Sequence, residues 1–253
     1  MDFAEFERTG ILRVVGAFPR ADAARMCDIV WDELAARHGM DRGDPATWEP
    51  LVPSGMTSSK RSKAFAPISG PALETALDAL LGAGRWLPPK QFGNVLVTMP
   101  GSEPWRVPHR IWHSDFLPTL PRSRLLVVKV WALCDDVGLG GAGTPHLEGS
   151  HRAFARYLAS TPERDYKKTK LGFLASDPWL RLLTSDRADA ERDEALLAGA
   201  EVHGVPVRVV ETTGRAGDVW ITHPWVQHSI AVNASDRPRI MRSFAVPRRE
   251  PVG

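Results

Sequence analysis

Two pairs of residues in this sequence combine a histidine with an acidic residue two positions further along. His113 and Asp115 form the first pair, and His146 and Glu148 form the second. Residues two apart on a β-strand point to the same side, so each pair could hold one ion. Because the chain has 8 histidines and 30 acidic residues in 253 positions, about one such pair is expected by chance. Neither pair identifies a metal site without further context.

A third ligand would turn the first pair into a metal-binding set. His228 lies in the strand-like segment HSIAVN. Two imidazoles and one carboxylate on one face of an octahedral ion are typical of non-haem Fe(II) oxygenases, and they leave three positions open. The same ligands with an activated water would also suit a zinc hydrolase, which stays open as an alternative. His146 and His151 are interpreted as part of a packed turn rather than as a second metal site, and any role of the pair His146 and Glu148 stays open.

Helical patterns come first along the chain, and strand patterns follow from residue 91. A short strand is predicted over residues 11–15, then a helix capped by Asp22 and ended by Gly39, and later a helix that starts at Pro71. Residues 41–63 are polar and turn-rich and are predicted to form a long loop, which is typical of a lid. Runs of β-branched residues predict strands over residues 94–99, 125–133, 207–211, 218–222, 228–232 and 239–246. Residues 161–200 are predicted to be a helical insertion, so the order indicates an α+β fold built on a β-sandwich or barrel.

The composition excludes several classes of protein. The 32 basic and 30 acidic residues nearly balance, which argues against a nucleic-acid binder. The most apolar run is broken by Lys129 and is too short for a membrane span, and the acidic N-terminus lacks the pattern of a secretory signal. Only 2 cysteines are present, too few for a disulfide framework. We therefore expect a cytoplasmic protein, monomeric or homodimeric, that binds a small molecule and neither nucleic acid nor membrane.

The segment after His228 carries a resemblance to a known family. It reads HSIAVNASDRPR and ends at Arg239. Together with His113 and Asp115, it resembles the phytanoyl-CoA dioxygenase family of Fe(II)/2-oxoglutarate-dependent oxygenases. In that family an Asn-x-Ser stretch and, eleven residues on, an arginine follow the distal histidine. The resemblance also covers the N-terminal strand and helix, the strand VKVWAL at 128–133 and the turn that ends in GSH at 149–151.

The resemblance implies a fold and a set of cofactors. The fold is a double-stranded β-helix, a cupin-like jelly-roll with helices packed on one sheet. The chain is then one domain over residues 1–253, with a mostly helical support and lid loop over 1–90 and the jelly-roll over 91–247, including the insertion. His113, Asp115 and His228 become the ligands of Fe(II), and 2-oxoglutarate and O₂ become the co-substrates.

Arg239 takes the place of the family's arginine, whose fork of donors suits the distal carboxylate of 2-oxoglutarate. Arg237 lies on the same strand face by parity and competes for this role. Trp131 is expected to wall the co-substrate cavity, and further co-substrate contacts are assigned to Asn94, Thr98 and Ser229. Ile230 departs from the family, which often has a small polar residue there, so that one hydrogen bond to 2-oxoglutarate is either missing or supplied by Ser229 or Thr98.

Substrate contacts are assigned to aromatic residues outside the ligand set. We expect the two variable segments, 41–63 and 161–200, to build the substrate pocket, with the following side chains as contacts: Trp48, Trp105, His109, Trp112 and Trp179. The expected reaction is hydroxylation of a C–H bond of a small molecule. The resemblance includes halogenases that replace the carboxylate ligand with a small residue, so Asp115 favours hydroxylation. A non-catalytic jelly-roll that binds a ligand is the second alternative.

Overall fold

The computed structural model describes residues 1–116, 124–161, 165–186 and 189–249. Eight α-helices lie within these residues: α1 (Phe3–Thr9), α2 (Arg20–His38), α3 (Thr57–Arg61), α4 (Pro71–Leu81), α5 (Ser150–Ser160), α6 (Tyr166–Ala175), α7 (Pro178–Leu182) and α8 (Ala190–Ala198). Eight strands lie there too: β1 (Ile11–Val14), β2 (Asn94–Thr98), β3 (Val127–Leu133), β4 (Pro145–Glu148), β5 (Ala200–Val202), β6 (Val205–Glu211), β7 (Val219–Thr222) and β8 (Arg239–Pro247). Two 3₁₀ helices cover Pro45–Thr47 and Lys63–Ser69.

The strands form two antiparallel sheets. The larger sheet has five strands in the order β1-β7-β3-β8-β2, and the smaller has three in the order β4-β6-β5. Strands that are neighbours in the larger sheet are mostly distant in sequence, so this sheet is held by long-range pairing. Its central strand, β3, pairs with both β7 and β8.

Side-chain alternation gives the larger sheet two different faces. On β8, Ile240 and Phe244 belong to a core that includes the apolar sides of α2 and α4. Arg239, Met241 and Ser243 point to the opposite face because successive residues of a strand alternate. That second face lines a cavity and carries the residues of chemical interest.

A second core lies on the smaller sheet. It joins apolar residues of β4, β5 and β6 to apolar residues of α5, α6, α7 and α8. Helices therefore pack on both sheets, which corrects the expectation that they pack on one. The predicted insertion is helical in its described residues, whereas residues 162–164 and 187–188 lie outside them. Its helices cover the smaller sheet because each carries an apolar stripe that needs burial.

Most of the predicted strands are confirmed to within two residues, and three local predictions are wrong. Residues 228–232 form no regular strand; His228 makes only isolated bridges, to His113 and to His146. The helix that should start at Asp22 starts at Arg20 after an extended Pro19, although it ends at Gly39 as predicted. Residues 41–63 are not a structureless loop, because they contain a 3₁₀ turn and α3. No described helix is long and apolar enough to cross a membrane.

Candidate functional site

His113 and His228 lie side by side because their backbones pair. The His113 amide donates to the His228 carbonyl (3.0 Å), and the His228 amide donates to the His113 carbonyl (2.8 Å). His228 also bridges to His146 of β4, so these two segments extend the smaller sheet beyond β4. Residues far apart in the chain are thus brought together by two short stretches of sheet-like pairing.

Asp115 completes a compact group with the two histidines. Asp115 Oδ1 lies 3.6 Å from His113 Nε2, and Asp115 Oδ2 lies 3.7 Å from His228 Nε2. One ligand atom from each residue lies within 4.8 Å of the others, and no second group of this kind occurs among the described residues. The arrangement can hold one metal ion between two nitrogens and one oxygen.

Backbone carbonyl groups orient both imidazole rings. The carbonyl of Ile111 lies 2.8 Å from His113 Nδ1, and the carbonyl of Val226 lies 3.2 Å from His228 Nδ1. Since a carbonyl oxygen only accepts, Nδ1 carries the proton in each ring and Nε2 presents its lone pair. Ile111 has a φ of 61°, a conformation that costs a β-branched residue about 1–3 kcal/mol. Backbone strain is therefore stored at the turn that orients His113.

The electrostatics of the site favour the charge states that a metal ion requires. Burial would raise the pKa of Asp115, but the neighbouring side chains of His113, His228 and Lys129 together hold it well below its usual value. Burial lowers the pKa of His228 to about 4, and the nearby His113 adds to this effect. At neutral pH the site therefore offers an ionised carboxylate beside a neutral His228 imidazole.

A cavity of about 250 Å³ adjoins the three ligands. Its walls come from the second face of the larger sheet and from the segment that follows His228. The lining includes Asn94, Leu96, Thr98, Lys129, Trp131, Thr144, Ser229, Ile230, Arg239 and Ser243. Because both sheets contribute, the cavity lies where the two approach each other.

Arg239 brings a buried positive charge to this cavity. Its side-chain partners are neutral, namely the hydroxyl of Thr98 and the sulfur of Met241, and its Nε has no partner among the described residues. Burial lowers the pKa of Arg239 to about 10 against an opposing effect of Glu211, so the guanidinium remains charged at neutral pH. A buried guanidinium with neutral partners and a spare donor is suited to binding an anion.

The other residues assigned to the co-substrate, Asn94, Thr98, Trp131 and Ser229, line the cavity, whereas the rival arginine lies elsewhere. Arg237 is 58% exposed and pairs with Asp135 at 2.9 Å, and it is not among the described residues that line the cavity. The Trp131 ring stands edge-on to the His228 ring, with 5.0 Å between centroids, and its Nε1 donates to Thr222 Oγ1. Asn94 accepts from Lys60 Nζ (3.0 Å), and the Ser229 hydroxyl donates to the Arg110 carbonyl (2.7 Å).

The structure does not bring the residues assigned to the substrate to this cavity. Trp112 is 2% exposed within the core of the smaller sheet, and its Nε1 donates to the Pro108 carbonyl. Trp105 and Trp179 pack against the same core, and Trp48 packs against Trp31 on the other side of the molecule's larger sheet. The following are absent from the described lining: Trp48, Trp105, His109, Trp112 and Trp179. Large aromatic side chains stabilise the cores here because they bury much apolar area.

Sequence reasoning missed Lys129. The ammonium of Lys129 lies 2.6 Å from Asp115 Oδ2. The alternation of β3 could have shown this residue, because Lys129 and Trp131 share a face. Val52 and Pro53 of the predicted lid loop also line the cavity, so that loop does reach it.

The second histidine–acid pair divides between two environments. His146 is fully buried, with its ring 5.2 Å from that of Trp131, whereas Glu148 forms an ion pair with Arg208 (2.6 Å). Burial holds the pKa of His146 well below its usual value. Glu148 is thus directed away from any ion that His146 could share.

No protein-family model matches the sequence, and no curated protein matches it at a significant level. Solved structures do match. The epimerase SnoN from nogalamycin biosynthesis, in complex with Fe³⁺, alpha ketoglutarate and nogalamycin RO, has a TM-score of 0.55 and 17% identity over 98% of this chain and 84% of its own. EvdO2 from Micromonospora carbonacea var. aurantiaca, complexed with 2-oxoglutarate, has a TM-score of 0.55 and 16% identity over 98% of this chain and 90% of its own.

HygX from Streptomyces hygroscopicus, with nickel and 2-oxoglutarate bound, has a TM-score of 0.56 and 15% identity over 97% of this chain and 85% of its own. Such low identities establish the fold and nothing finer. The chain therefore has the fold of these solved structures, of which SnoN is a non-haem, alpha ketoglutarate-dependent epimerase.

Proposed function

We propose that this protein is an Fe(II)- and 2-oxoglutarate-dependent oxygenase that oxidises a C–H bond of a small-molecule substrate. One observation carries the proposal. The compact group of His113, Asp115 and His228 opens onto a cavity that is also lined by the buried Arg239, whose guanidinium has neutral partners. A metal ligand set and an anion site in one cavity match an enzyme that uses a metal ion and a dicarboxylic acid together.

The donor set fits a divalent iron ion. Two Nε2 lone pairs and one carboxylate oxygen are the ligands that non-haem Fe(II) sites use, and they leave positions for other oxygen donors. His113, Asp115 and His228 would hold the ion, while the carbonyl groups of Ile111 and Val226 keep both rings in the required orientation.

The cavity fits the co-substrate at Arg239. The unpartnered Nε and the charged guanidinium would bind the distal carboxylate, and Thr98, which already accepts from Arg239, would help to fix the guanidinium. Trp131 would cover one side of the keto acid and keep water away from the ligands. When bound, iron and 2-oxoglutarate supply the oxidising chemistry, with the keto acid converted to succinate and CO₂ as O₂ oxidises the substrate.

The order in which the chain visits the two sheets supports a double-stranded β-helix. β2, β3, β7 and β8 belong to the larger sheet; β4 and β6, with the segments around His113 and His228, belong to the smaller one. With the edge strands β1 and β5 left out, the chain passes through the larger sheet, the smaller, the larger, the smaller twice, the larger, the smaller and finally the larger, which is a jelly-roll path. We therefore propose one jelly-roll domain over residues 1–253 and membership of the phytanoyl-CoA dioxygenase family. Cytoplasmic location and the monomeric or homodimeric state stay predictions of the sequence.

The rim of the cavity supports a small substrate with an apolar surface. Val52 and Ile230 both line it and are 57% and 54% exposed, respectively. Exposed aliphatic side chains at a cavity mouth favour an organic molecule over a polymer with many charges. SnoN binds nogalamycin RO, a small molecule, in the same fold. Hydroxylation is the reaction we propose, because Asp115 occupies the ligand position that a halogenase leaves open for a halide.

The test is spectroscopic and then chemical. Protein purified without oxygen should develop a weak visible absorption band when Fe(II) and 2-oxoglutarate are added together. After oxygen is admitted, it should convert 2-oxoglutarate to succinate. His228→Ala removes one Nε2 ligand and should lose both signals, since two remaining ligands hold the ion poorly.

Each alternative function predicts a different result. A zinc hydrolase would give no band with Fe(II) and 2-oxoglutarate and would leave the keto acid unchanged. A non-catalytic binding protein could give the band but would produce no succinate. An identical band in wild type and His228→Ala would show that the metal binds elsewhere, and the proposal would fail.

A further inference from the structure

Lys129 places a positive charge directly against the candidate metal ligands. It lies on β3, which is paired on both sides by β7 and β8, so its backbone is firmly held. Its side chain is 19% exposed and lines the cavity beside Trp131. The ammonium donates to Asp115 Oδ2 at 2.6 Å and lies 5.2 Å from the centre of the Trp131 ring. A short, largely buried ion pair therefore joins the larger sheet to the carboxylate ligand.

This contact makes the two oxygens of Asp115 different. Oδ2 accepts a hydrogen bond from Lys129 and lies 3.7 Å from His228 Nε2, whereas Oδ1 lies 3.6 Å from the Nε2 of His113. That Nε2 carries a lone pair, because the Nδ1 of the same ring donates to the Ile111 carbonyl. Oδ1 thus keeps its lone pairs available for a metal ion, while the hydrogen bond from Lys129 to Oδ2 fixes the orientation of the carboxylate.

We infer that Lys129 is a positioning residue that makes Asp115 a ligand through one oxygen only. The inference rests on the proposed function. An octahedral ion bound by two nitrogens and one oxygen keeps three open positions. A carboxylate bound through both oxygens would leave two, which a chelating keto acid would fill. Lys129 thereby keeps one coordination position on the ion open after the co-substrate has taken the other two.

Three variants separate this role from a general effect of charge. Lys129→Met keeps the length of the side chain and removes the donor, whereas Lys129→Arg keeps both donor and charge. Lys60→Met is a matched control, because Lys60 donates to Asn94 at the same cavity and not to Asp115. If Lys129→Met fails to fold, Lys129→Gln replaces it, since its shorter amide does not reach Oδ2.

Two measurements test the variants. Crystal structures of the nickel-loaded proteins should show one Asp115 oxygen on the ion in wild type and in Lys129→Arg, and both oxygens in Lys129→Met. Anaerobic titration of the Fe(II) proteins with 2-oxoglutarate, followed by the visible band, should give a dissociation constant raised by about tenfold or more in Lys129→Met. Lys129→Arg and Lys60→Met should remain within about threefold of wild type.

The outcomes distinguish this inference from the proposed function. Coordination through one oxygen in Lys129→Met with an unchanged dissociation constant overturns the inference, as does coordination through both oxygens in wild type. A comparable loss of affinity in Lys60→Met would assign the effect to charge alone and also overturn it. The proposed function is refuted if the wild type never forms the visible band. If the nickel-loaded structures nevertheless show one Asp115 oxygen on the ion in wild type and both oxygens in Lys129→Met, the role of Lys129 is upheld.

Discussion

Replacing Arg239 by Met should make the ligand-free protein more stable and at the same time abolish its response to 2-oxoglutarate. Burial lowers the pKa of Arg239 from 12.5 to about 10, which means that the folded state disfavours its charge. At about 1.4 kcal/mol per pKa unit, this charge costs the folded protein about 3 kcal/mol at every pH below about 10. The cost fades as the pH rises from there towards 12.5.

In the Arg239→Met variant, the stability gained by removing the buried charge is partly offset. Met fills similar space without a charge, but the Thr98 hydroxyl loses its partner, which costs about 1 kcal/mol. We therefore expect the free energy of unfolding at pH 7 to rise by about 2 kcal/mol. Saturation with the keto acid at about 100 times its dissociation constant should stabilise the wild type by about 2.7 kcal/mol and the variant hardly at all.

Urea unfolding of the nickel-loaded proteins, with and without 2-oxoglutarate, measures both effects. Arg237→Met is the matched control: Arg237 is 58% exposed and pairs with Asp135, so its loss should change stability by less than about 1 kcal/mol and leave the ligand response intact. A variant of Arg239 that is less stable than wild type without ligand refutes the burial argument. A ligand response lost in Arg237→Met, and kept in Arg239→Met, transfers the carboxylate site to Arg237.

Two further predictions concern regions around the site. Burial lowers the pKa of His151 to about 4, below the 6.5 of an ordinary histidine. As the pH falls, the unfolded chain therefore binds a proton at this residue before the folded protein does. Between pH 7 and pH 5, His151 should lower the free energy of unfolding, measured with urea, by about 2 kcal/mol. Arg192→Met removes the donors to three backbone carbonyls, those of Leu182, Val107 and Pro108, at 2.7, 2.8 and 2.9 Å. It should destabilise the protein by about 3–5 kcal/mol in the same assay, because its partner Asp193 and these carbonyls stay buried.

Both predictions have internal controls. His151→Gln should unfold with a shallower dependence on pH in this range, and a dependence equal to that of wild type would contradict the assignment to His151. Arg208→Met is the control for Arg192, because Arg208 is 57% exposed and forms a single ion pair with Glu148. If the two arginine variants lose the same stability, burial is not the reason that Arg192 matters.

The strands of the larger sheet could be predicted because their residues alternate between a core face and a cavity face. β8 shows why: Ile240 and Phe244 are buried against helices, whereas Arg239 and Ser243 line the cavity on the opposite face. The segment after His228 has the same composition and yet forms no regular strand. Its pairing is limited to isolated bridges, from His228 to His113 and His146 and from Asn233 to Pro100 and Gly141, and these partners come from distant parts of the chain. Strand propensity depends on nearby residues, whereas the availability of a strand to pair with depends on distant segments of the chain.

The difference between local sequence and distant contacts also explains why the residues assigned to the substrate do not line the cavity. Four of the residues assigned to the substrate are tryptophans, and indole chemistry gives no sign of whether a ring faces a ligand or a core. Trp112 stands next to His113 in sequence but points into the core of the smaller sheet, since neighbours on an extended chain point to opposite sides. Trp131 and Lys129 both line the cavity, since residues two apart on a strand point to the same side.

The sequence alone determined the spacing of His113 and Asp115, the alternation of the long strands and the near balance of charge. These are local or additive properties of the chain. The tertiary structure decided which of two histidine–acid pairs meets a third ligand, which arginine is buried, and that Lys129 contacts Asp115. Each of these depends on strand pairings between distant segments, and the free energy of such pairings is set by the whole fold rather than by nearby residues.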